Sequence, residues 1–389
     1  MANGLNAGKS EETPPRHASV ANVRFSVMLD AALGSVIRER VQQAMKERGH
    51  ATVLVAGRSG VGKSTLINAV FQGQLAETGH GRPVTKEIRE YTKPGVPISL
   101  IDSRGLELER YRETLAQLAK LIEERQRDAD ANRHVHCAWV CISEDSRRVD
   151  DGEIKLVELL SERGVPIVGV ITKARADQGF RAEVQRLLPL AKNVVSVRAI
   201  NEVLDEGTEL PPRGLPELVD VTMTLIPEGH RTAFVAAQRV SLVLKQRRAR
   251  AVVATATAAA AAVGATPIPF ADAALLVPIQ VGMLVGISAT FGLDLDDAFF
   301  GTLIGAVTGT VGATLAGRAI VGSLFKLIPG VGSAAGGAIS GATAATLTTT
   351  LGQSYVTVLS RLLEASHGEP PPADAVARSL VTEMRRRKE

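Results

Sequence analysis

Residues 52–65 read TVLVAGRSGVGKST, and this stretch decides the fold of the first half of the chain. An apolar run typical of a strand leads into a glycine-rich segment, and the sequence TLINAVF that follows is typical of a helix. The segment matches the pattern GxxxxGK[ST] at Gly57, Gly62, Lys63 and Ser64. Glycines at these points let backbone N–H groups surround a phosphate beside the positive end of the helix. We therefore predict a phosphate-binding loop whose contacts come from Gly57, Ser59, Gly60, Val61, Gly62, Lys63, Ser64 and Thr65.

Two further elements follow in the order that a nucleotide-hydrolysing site requires. Asp102 ends the apolar run ISLID and begins a DxxG pattern that Gly105 completes, and Thr85 lies between this pattern and the phosphate-binding loop. We expect Lys63 to contact the β- and γ-phosphates, and the N–H group of Gly105 to bond the γ-phosphate. The predicted catalytic residues are Lys63, Thr85 and Gly105. The predicted Mg²⁺ ligands are Ser64, Thr85 and Asp102, the last of them through a water molecule.

The order of these motifs resembles that of the Era-like branch of translation-factor-type P-loop GTPases, over residues 50–227. The resemblance implies that the chain binds GTP with Mg²⁺ and hydrolyses GTP. The base-recognition motif [NT]KxD corresponds to residues 172–175, where Thr172 and Lys173 match but Arg175 replaces the aspartate that bonds guanine. Two alternatives stay open: a local bulge delivers Asp177 instead, or base selectivity is relaxed, with adenine as the competitor. The second base-binding loop of the family resembles Ser196, Val197 and Arg198.

The position after DxxG bears on the rate of hydrolysis. Ras-like enzymes carry a water-orienting glutamine there, whereas this chain has Leu106, which cannot orient water. We therefore expect slow hydrolysis that depends on an activator protein or on a homodimer. Glu107 follows, but a glutamate at this position is more often a surface residue or the start of a helix than a catalytic residue.

From residue 50 to 230, apolar strand segments alternate with amphipathic helices, which predicts an α/β fold, a doubly wound and mostly parallel sheet covered by helices. We predict that residues 1–20 are disordered and that residues 21–49 form an N-terminal helix. Cys137 and Cys141 lie near His134 and His136, but at the period of a strand the two residue types point to opposite faces. We expect buried strand cysteines and no metal site.

Residues 231–365 have a different composition, rich in Ala, Gly, Val, Leu and Thr, and predict an all-α apolar helical domain before a tail at residues 366–389. The uncharged runs 273–293 and 298–317 are each long enough to cross a bilayer as a helix. Glycines recur four residues apart in both, as in closely packed membrane helices, although a soluble bundle shows the same spacing. The strings VGATPIPFADAALLVPIQVGM and LFKLIPGVGSAAGGAISGATAATLT resemble the YcjF-like domain found fused to bacterial GTPases.

The composition excludes some classes of function. The net charge is +4, and 3% of the residues are aromatic. The sequence contains no basic stripe interleaved with aromatic residues, so nucleic-acid binding is not indicated. The N-terminus lacks the apolar stretch of a secretory signal. We therefore expect a cytoplasmic GTPase domain at the inner face of the cytoplasmic membrane, with a fully cytosolic chain as the alternative.

Together these features predict a GTP-binding switch coupled to a membrane-associated helical domain. Two rival interpretations remain: a dynamin-type membrane-remodelling GTPase, and a non-catalytic nucleotide-binding scaffold, which Leu106 and Arg175 favour. The implied partners are guanine nucleotide, a lipid bilayer, and either a second copy or an activator.

Overall fold

The computed structural model describes residues 20–72, 75, 80–83, 88–103, 111–204, 207–264, 272–308 and 340–387. The strands are β1 (Ala51–Gly57), β2 (His80–Pro83), β3 (Ile88–Lys93), β4 (Val96–Ser103), β5 (Cys137–Ser143), β6 (Ile167–Thr172), β7 (Asn193–Ser196), β8 (Glu202–Val203) and β9 (Glu209–Leu210). The helices are α1 (Val20–Arg48), α2 (Lys63–Val70), α3 (Tyr111–Gln126), α4 (Asp151–Glu162), α5 (Phe180–Leu187), α6 (Leu215–Leu225), α7 (Glu228–Ala237), α8 (Leu242–Gly264), α9 (Asp272–Phe291), α10 (Asp297–Thr308), α11 (Gly341–Ala365) and α12 (Ala373–Arg386).

Seven strands form one sheet in the order β2-β3-β4-β1-β5-β6-β7. The five strands from β4 to β7 pair in parallel, whereas β3 pairs antiparallel with both β2 and β4. Every residue of β1 is buried, as expected for a central parallel strand covered on both faces. The predicted α/β class is confirmed.

Helices cover both faces of this sheet. On one face Phe71, at the end of α2, stacks on Trp139 of β5 with ring centroids 5.7 Å apart. On the other face Leu118 of α3 and Leu160 of α4 pack against Ile142. The predicted burial of both cysteines is confirmed, and burial raises the pKa of each thiol to about 12.

The helical half is built on the packing of α8 against α9 and α11. Gly352 of α11 makes this packing close, since a methyl group at that position would lie 2.7 Å from Val253 Cγ2 and 2.8 Å from Met283 Sδ. The predicted close approach at Gly286 is also present, with a methyl group there 3.0 Å from Val252. Residues 276–291 therefore pack closely against α8 and α11, a contact that both a membrane hairpin and a soluble bundle would contain.

Among the residues that the structure describes, no helix is both long and apolar enough to cross a membrane. The first of the two uncharged runs lies in α9 except for its last two residues, 292 and 293. The second begins in α10 and continues into residues 309–317, which lie outside the described residues.

The two halves are joined at the C-terminal end of α2. The N–H group of Gln72 donates to Ala237 O at 3.0 Å, and that of Arg239 donates to Val70 O at 2.9 Å. Phe71 and Gln238 thereby form an antiparallel β-bridge. Residues 238–241, which lead from α7 into α8, are thus hydrogen-bonded to the helix that follows the phosphate-binding loop.

A fold prediction concerns the only tryptophan. Trp139 Nε1 donates to Thr222 Oγ1 at 2.9 Å, and both residues are fully buried. In Thr222→Val the indole N–H loses its acceptor, so we expect a loss of about 1–3 kcal/mol in the free energy of unfolding. Urea unfolding followed by tryptophan fluorescence measures the loss. Thr224→Val, at an exposed position on the same helix, is the control, and equal destabilisation by both variants would contradict this account.

Candidate functional site

The phosphate-binding loop connects β1 to α2 at the carboxyl edge of the sheet. Gly57, Gly60 and Gly62 have φ values of 153°, 75° and 102°, which side-chain-bearing residues rarely adopt. At Gly57 the constraint is also steric, because a Cβ would lie 2.6 Å from Cys141 O. Helix α2 then begins at Lys63. The backbone therefore forms a turn whose shape depends on these glycines and which leads directly into the N-terminus of α2.

Lys63 is fixed inside this turn. Its ammonium donates to Gly57 O at 2.8 Å and to Arg58 O at 3.0 Å, and it lies 4.0 Å from Asp102 Oδ1. Lys63 is 7% exposed and Asp102 is 3% exposed. Asp102 reaches this point because β4 pairs in parallel with β1, placing it beside Val55. A buried cation and a buried carboxylate thus face each other at the point where the ends of β1 and β4 meet the N-terminus of α2.

The site fits a magnesium-bound nucleoside triphosphate. Ser59, Gly60, Ser64 and Thr65 are exposed around the buried Lys63, so phosphates can reach the N–H groups of the loop. A serine hydroxyl and an aspartate carboxylate are oxygen ligands of the kind Mg²⁺ prefers. Ser64 follows Lys63 at the start of α2, and Asp102 of β4 lies 4.0 Å from the Lys63 ammonium. Thr85, Gly105 and Leu106 lie outside the described residues.

The predicted base-binding motif is attached directly to the phosphate-binding loop. Thr172 Oγ1 donates to Val61 O at 2.6 Å and lies 3.2 Å from Ile142 O. The N–H group of Ala174 donates to Val197 O at 3.1 Å, which joins this motif to the second predicted loop. The two loops and the phosphate-binding loop therefore form one connected unit.

Arg175, at the position of the family's aspartate, makes its own ion pairs. Its guanidinium bonds Glu202 and lies 3.7 Å from Asp145. The hydrogen bond to Glu202 raises the pKa of Arg175, and the same bond lowers the pKa of Glu202. Lys173, with its ammonium 3.5 Å from Asp145, belongs to the same charged cluster.

Sequence reasoning missed Glu144. This buried carboxylate accepts the N–H groups of Arg175 at 3.0 Å and of Ala176 at 2.8 Å, and so fixes the backbone of the base-binding motif. The available signal was its position, because Glu144 directly follows β5 at the edge where the other site residues lie.

Asp177, the residue expected to replace the missing aspartate, has a different contact here. Its Oδ1 accepts the N–H group of Arg181 at 2.7 Å, so it caps the start of α5. In the second loop, Val197 N donates to Ile171 O at 2.7 Å and Arg198 N to Arg213 O at 3.0 Å. Ser196 Oγ is buried. These loop N–H groups bond the chain's own carbonyls.

Two family models match separate parts of the chain. The model described as "50S ribosome-binding GTPase" matches residues 52–173, and "Domain of unknown function (DUF697)" matches residues 230–386. Residues 52–173 belong to a P-loop GTPase domain, and residues 230–386 belong to a DUF697 domain. The stretch between the two matches, residues 174–229, contains α5, β7, β8, β9 and α6, and the hydrogen-bonded linker at residues 238–241 lies within the second match.

Relatives of the GTPase domain are distant. "Probable GTP-binding protein EngB" of Kosmotoga olearia is 28% identical over 184 residues, covering 45% of this chain and 87% of that protein. "Septin-9" of Mus musculus is also 28% identical, over 45% of this chain and 33% of its own length. A crystal structure of a probable GTP-binding protein engB is 19% identical, with a TM-score of 0.29 over 38% of this chain and 89% of that one.

A prediction for the GTPase domain concerns Glu144. In the wild type both carboxylate oxygens of Glu144 accept backbone N–H groups. In Glu144→Gln one of these oxygens is replaced by an NH₂ donor, which faces a backbone N–H donor. The backbone of the base-binding motif should therefore no longer be fixed. We expect the dissociation constant for GDP to rise by about tenfold or more, given about 1.5–3 kcal/mol for hydrogen bonds to charged groups.

Titration with a fluorescent GDP analogue measures this change. Asp145→Asn is the matched control, because Asp145 is 46% exposed and its ion pairs are screened by water. Equal affinities of wild type and Glu144→Gln would show that the buried carboxylate does not position the base-binding motif.

Proposed function

We propose that this chain is a GTP-hydrolysing switch whose nucleotide state is transmitted from the GTPase domain to the DUF697 domain. One observation carries the proposal: Lys63 is buried between the carbonyls of its own loop and Asp102, at the N-terminus of α2. This arrangement provides positive charge, N–H donors and a metal-binding carboxylate at one point. The relatives named as GTP-binding proteins support guanine nucleotide as the ligand.

The residues of the site divide the chemistry between them. Lys63 and the loop N–H groups bind the β- and γ-phosphates and stabilise the charge that develops on them. Ser64, Thr85 and Asp102 would hold Mg²⁺, which when bound neutralises phosphate charge. Gly105 is proposed to bond the γ-phosphate. At the position after DxxG, Leu106 has no polar group that could orient the attacking water. Hydrolysis is therefore slow until an activator or a second copy of the chain assists.

Base selection rests on the unit formed by the three loops. Thr172 fixes the base-binding motif to Val61, and Glu144 fixes its backbone. Since Asp177 caps α5, guanine contact through Asp177 requires the loss of that cap. We therefore propose that guanine selectivity is weaker than that of relatives with a complete [NT]KxD motif, with GTP still preferred to ATP.

Transmission to the DUF697 domain is supported by the contacts at the end of α2. Arg239 donates to Val70 O through its backbone, lies 3.4 Å from Ala69 O through Nε, and pairs with Glu369 at 3.2 Å. Lys245 is fully buried and donates to Ala236 O at 2.7 Å and Phe291 O at 3.0 Å. A shift of α2 therefore has to be accommodated by α7, α8 and α9 together.

We also propose that the DUF697 domain associates with the inner face of the cytoplasmic membrane. The uncharged runs 273–293 and 298–317 and the exposed Arg247 and Arg250 support this, whereas Lys245 is buried. A helical bundle that stays in the cytosol is the alternative.

The proposal is tested first at Lys63. In Lys63→Ala the buried ammonium that would meet the phosphates is lost, so we expect GTP affinity to fall by at least about a hundredfold, which is near the upper limit of what one hydrogen bond to a charged group contributes. Calorimetry with GTP and with ATP measures both affinities. Lys192→Ala removes an exposed lysine at the opposite end of β7 and serves as control.

The outcomes separate the rival interpretations. GTP bound more tightly than ATP, with slow turnover that Lys63→Ala abolishes, supports the switch. GTP bound by the wild type without any turnover supports the non-catalytic scaffold instead, and undiminished GTP affinity in Lys63→Ala would reject the proposed phosphate site.

A further inference from the structure

A groove of about 930 Å³ lies where three parts of the molecule meet: α1, the corner between α6 and α7, and helices α8 and α9. Its floor is apolar and comes from α8 and α9, with Val252, Ile279, Met283 and Ala289 among the lining residues. Arg40 lies next to Gly282, since a methyl group at Gly282 would be 3.4 Å from Arg40 Cδ. The groove is thus bounded by both domains and by the N-terminal helix.

The walls of the groove are basic. Among the described residues that line it, the charged ones are Arg40, Arg48, Arg231, Arg247, Arg248, Glu47 and Glu228. Some are already engaged: Arg231 donates to Ile226 O at 2.9 Å, and Arg248 donates to Thr232 Oγ1 at 2.8 Å. The excess of arginine over acid attracts an anion.

Arg48 is the residue that most needs a partner. It is 8% exposed, and its Nε and Nη1 are buried without a hydrogen bond to any described residue. Burial lowers the pKa of Arg48, and Asp294 opposes this shift from beyond ion-pair distance. Arg40 Nε is likewise buried without such a partner, although its Nη1 donates to Gln43. A buried guanidinium with unused donors is costly unless an anion completes it.

We propose that this groove binds one molecule of an anionic phospholipid, with its phosphate at Arg40 and Arg48 and an acyl chain along the apolar floor. Guanidinium groups match phosphate oxygens with paired N–H donors. The groove volume lies in the range of about 300–1,000 Å³ found for pockets that bind drug-sized ligands. A free phosphate would satisfy the arginines but would leave the apolar floor uncovered.

The location gives such a lipid a role. Because the groove has walls from the GTPase domain and from the DUF697 domain, a change in how the domains meet alters its width, and a bound lipid favours one arrangement. The inference deepens the membrane association proposed above and rests on it for its biological setting, but the binding assay below contains no bilayer.

The test uses the purified full-length chain and dihexanoyl phosphatidic acid below its micelle-forming concentration, with binding measured by calorimetry. We expect saturable binding of one molecule to the wild type. Arg48→Gln should weaken binding by about tenfold or more, from the loss of charge-assisted hydrogen bonds. Arg250→Gln is the matched control, since it removes an exposed arginine from α8 outside the groove. GTP affinity, measured alongside, should be the same in all three proteins and shows that they are folded.

Several results would overturn the proposal: no binding by the wild type, equal binding by Arg48→Gln, or equal binding of dihexanoyl phosphatidylcholine. Inorganic phosphate bound as tightly as the lipid would show a plain anion site and would also overturn it. If Arg48→Gln does not fold, Arg40→Gln provides the same comparison. Co-sedimentation with phosphatidylglycerol vesicles tests membrane association separately, so a failure there is distinct from a failure in the groove.

Discussion

The hydrogen bonds between the end of α2 and residues 237–239 are the constraint on which the arrangement of this molecule depends. Helix α2 has only eight residues, about 12 Å at 1.5 Å per residue. Its first residue is Lys63, in the phosphate site, and its last is bonded to the backbone that leads into the DUF697 domain. A short helix whose two ends are both fixed transmits displacement, because neither end can move alone.

A buried polar group lies next to this junction. Lys245 is fully buried, and burial lowers its pKa to about 7, yet its ammonium bonds the last turns of both α7 and α9. At Gly292 a side chain is excluded, since a Cβ would lie 2.3 Å from Ala236 O. The carbonyl ends of two helices of the DUF697 domain thus converge on one lysine, and α7 is also bonded to the end of α2. This contact is therefore sensitive to small shifts of α7 against α9.

The local patterns of the GTPase domain are sufficient to predict its fold and the turn that holds Lys63. The alternation of strands and helices predicts the parallel sheet, and GxxxxGK[ST] after a buried strand predicts the turn around Lys63. The burial of Asp102 beside Lys63 follows from strand order. By contrast, the role of Glu144 depends on where the chain after β5 meets the backbone of residues 175 and 176, which no spacing in the sequence expresses.

The composition of the helical half suits two environments, a membrane and the core of a helical bundle, so the sequence does not decide between them. Residues 273–293 are apolar enough to suggest a membrane span, but the described part of α9 packs in a bundle with α8 and α11, where Gly352 permits the closest approach. Likewise Arg48, at the end of an N-terminal helix, looks like a solvated residue in sequence and is buried only through tertiary packing.

The central claim is that nucleotide state reaches the DUF697 domain through the end of α2. Backbone hydrogen exchange in the full-length chain, compared between GDP and a non-hydrolysable GTP analogue, tests it most directly. We expect altered protection at residues 70–72 and at residues 238–245, and no change in Lys63→Ala, in which we expect both nucleotides to bind weakly. Altered protection confined to the phosphate-binding and base-binding loops, with residues 238–245 identical in both states, would contradict it.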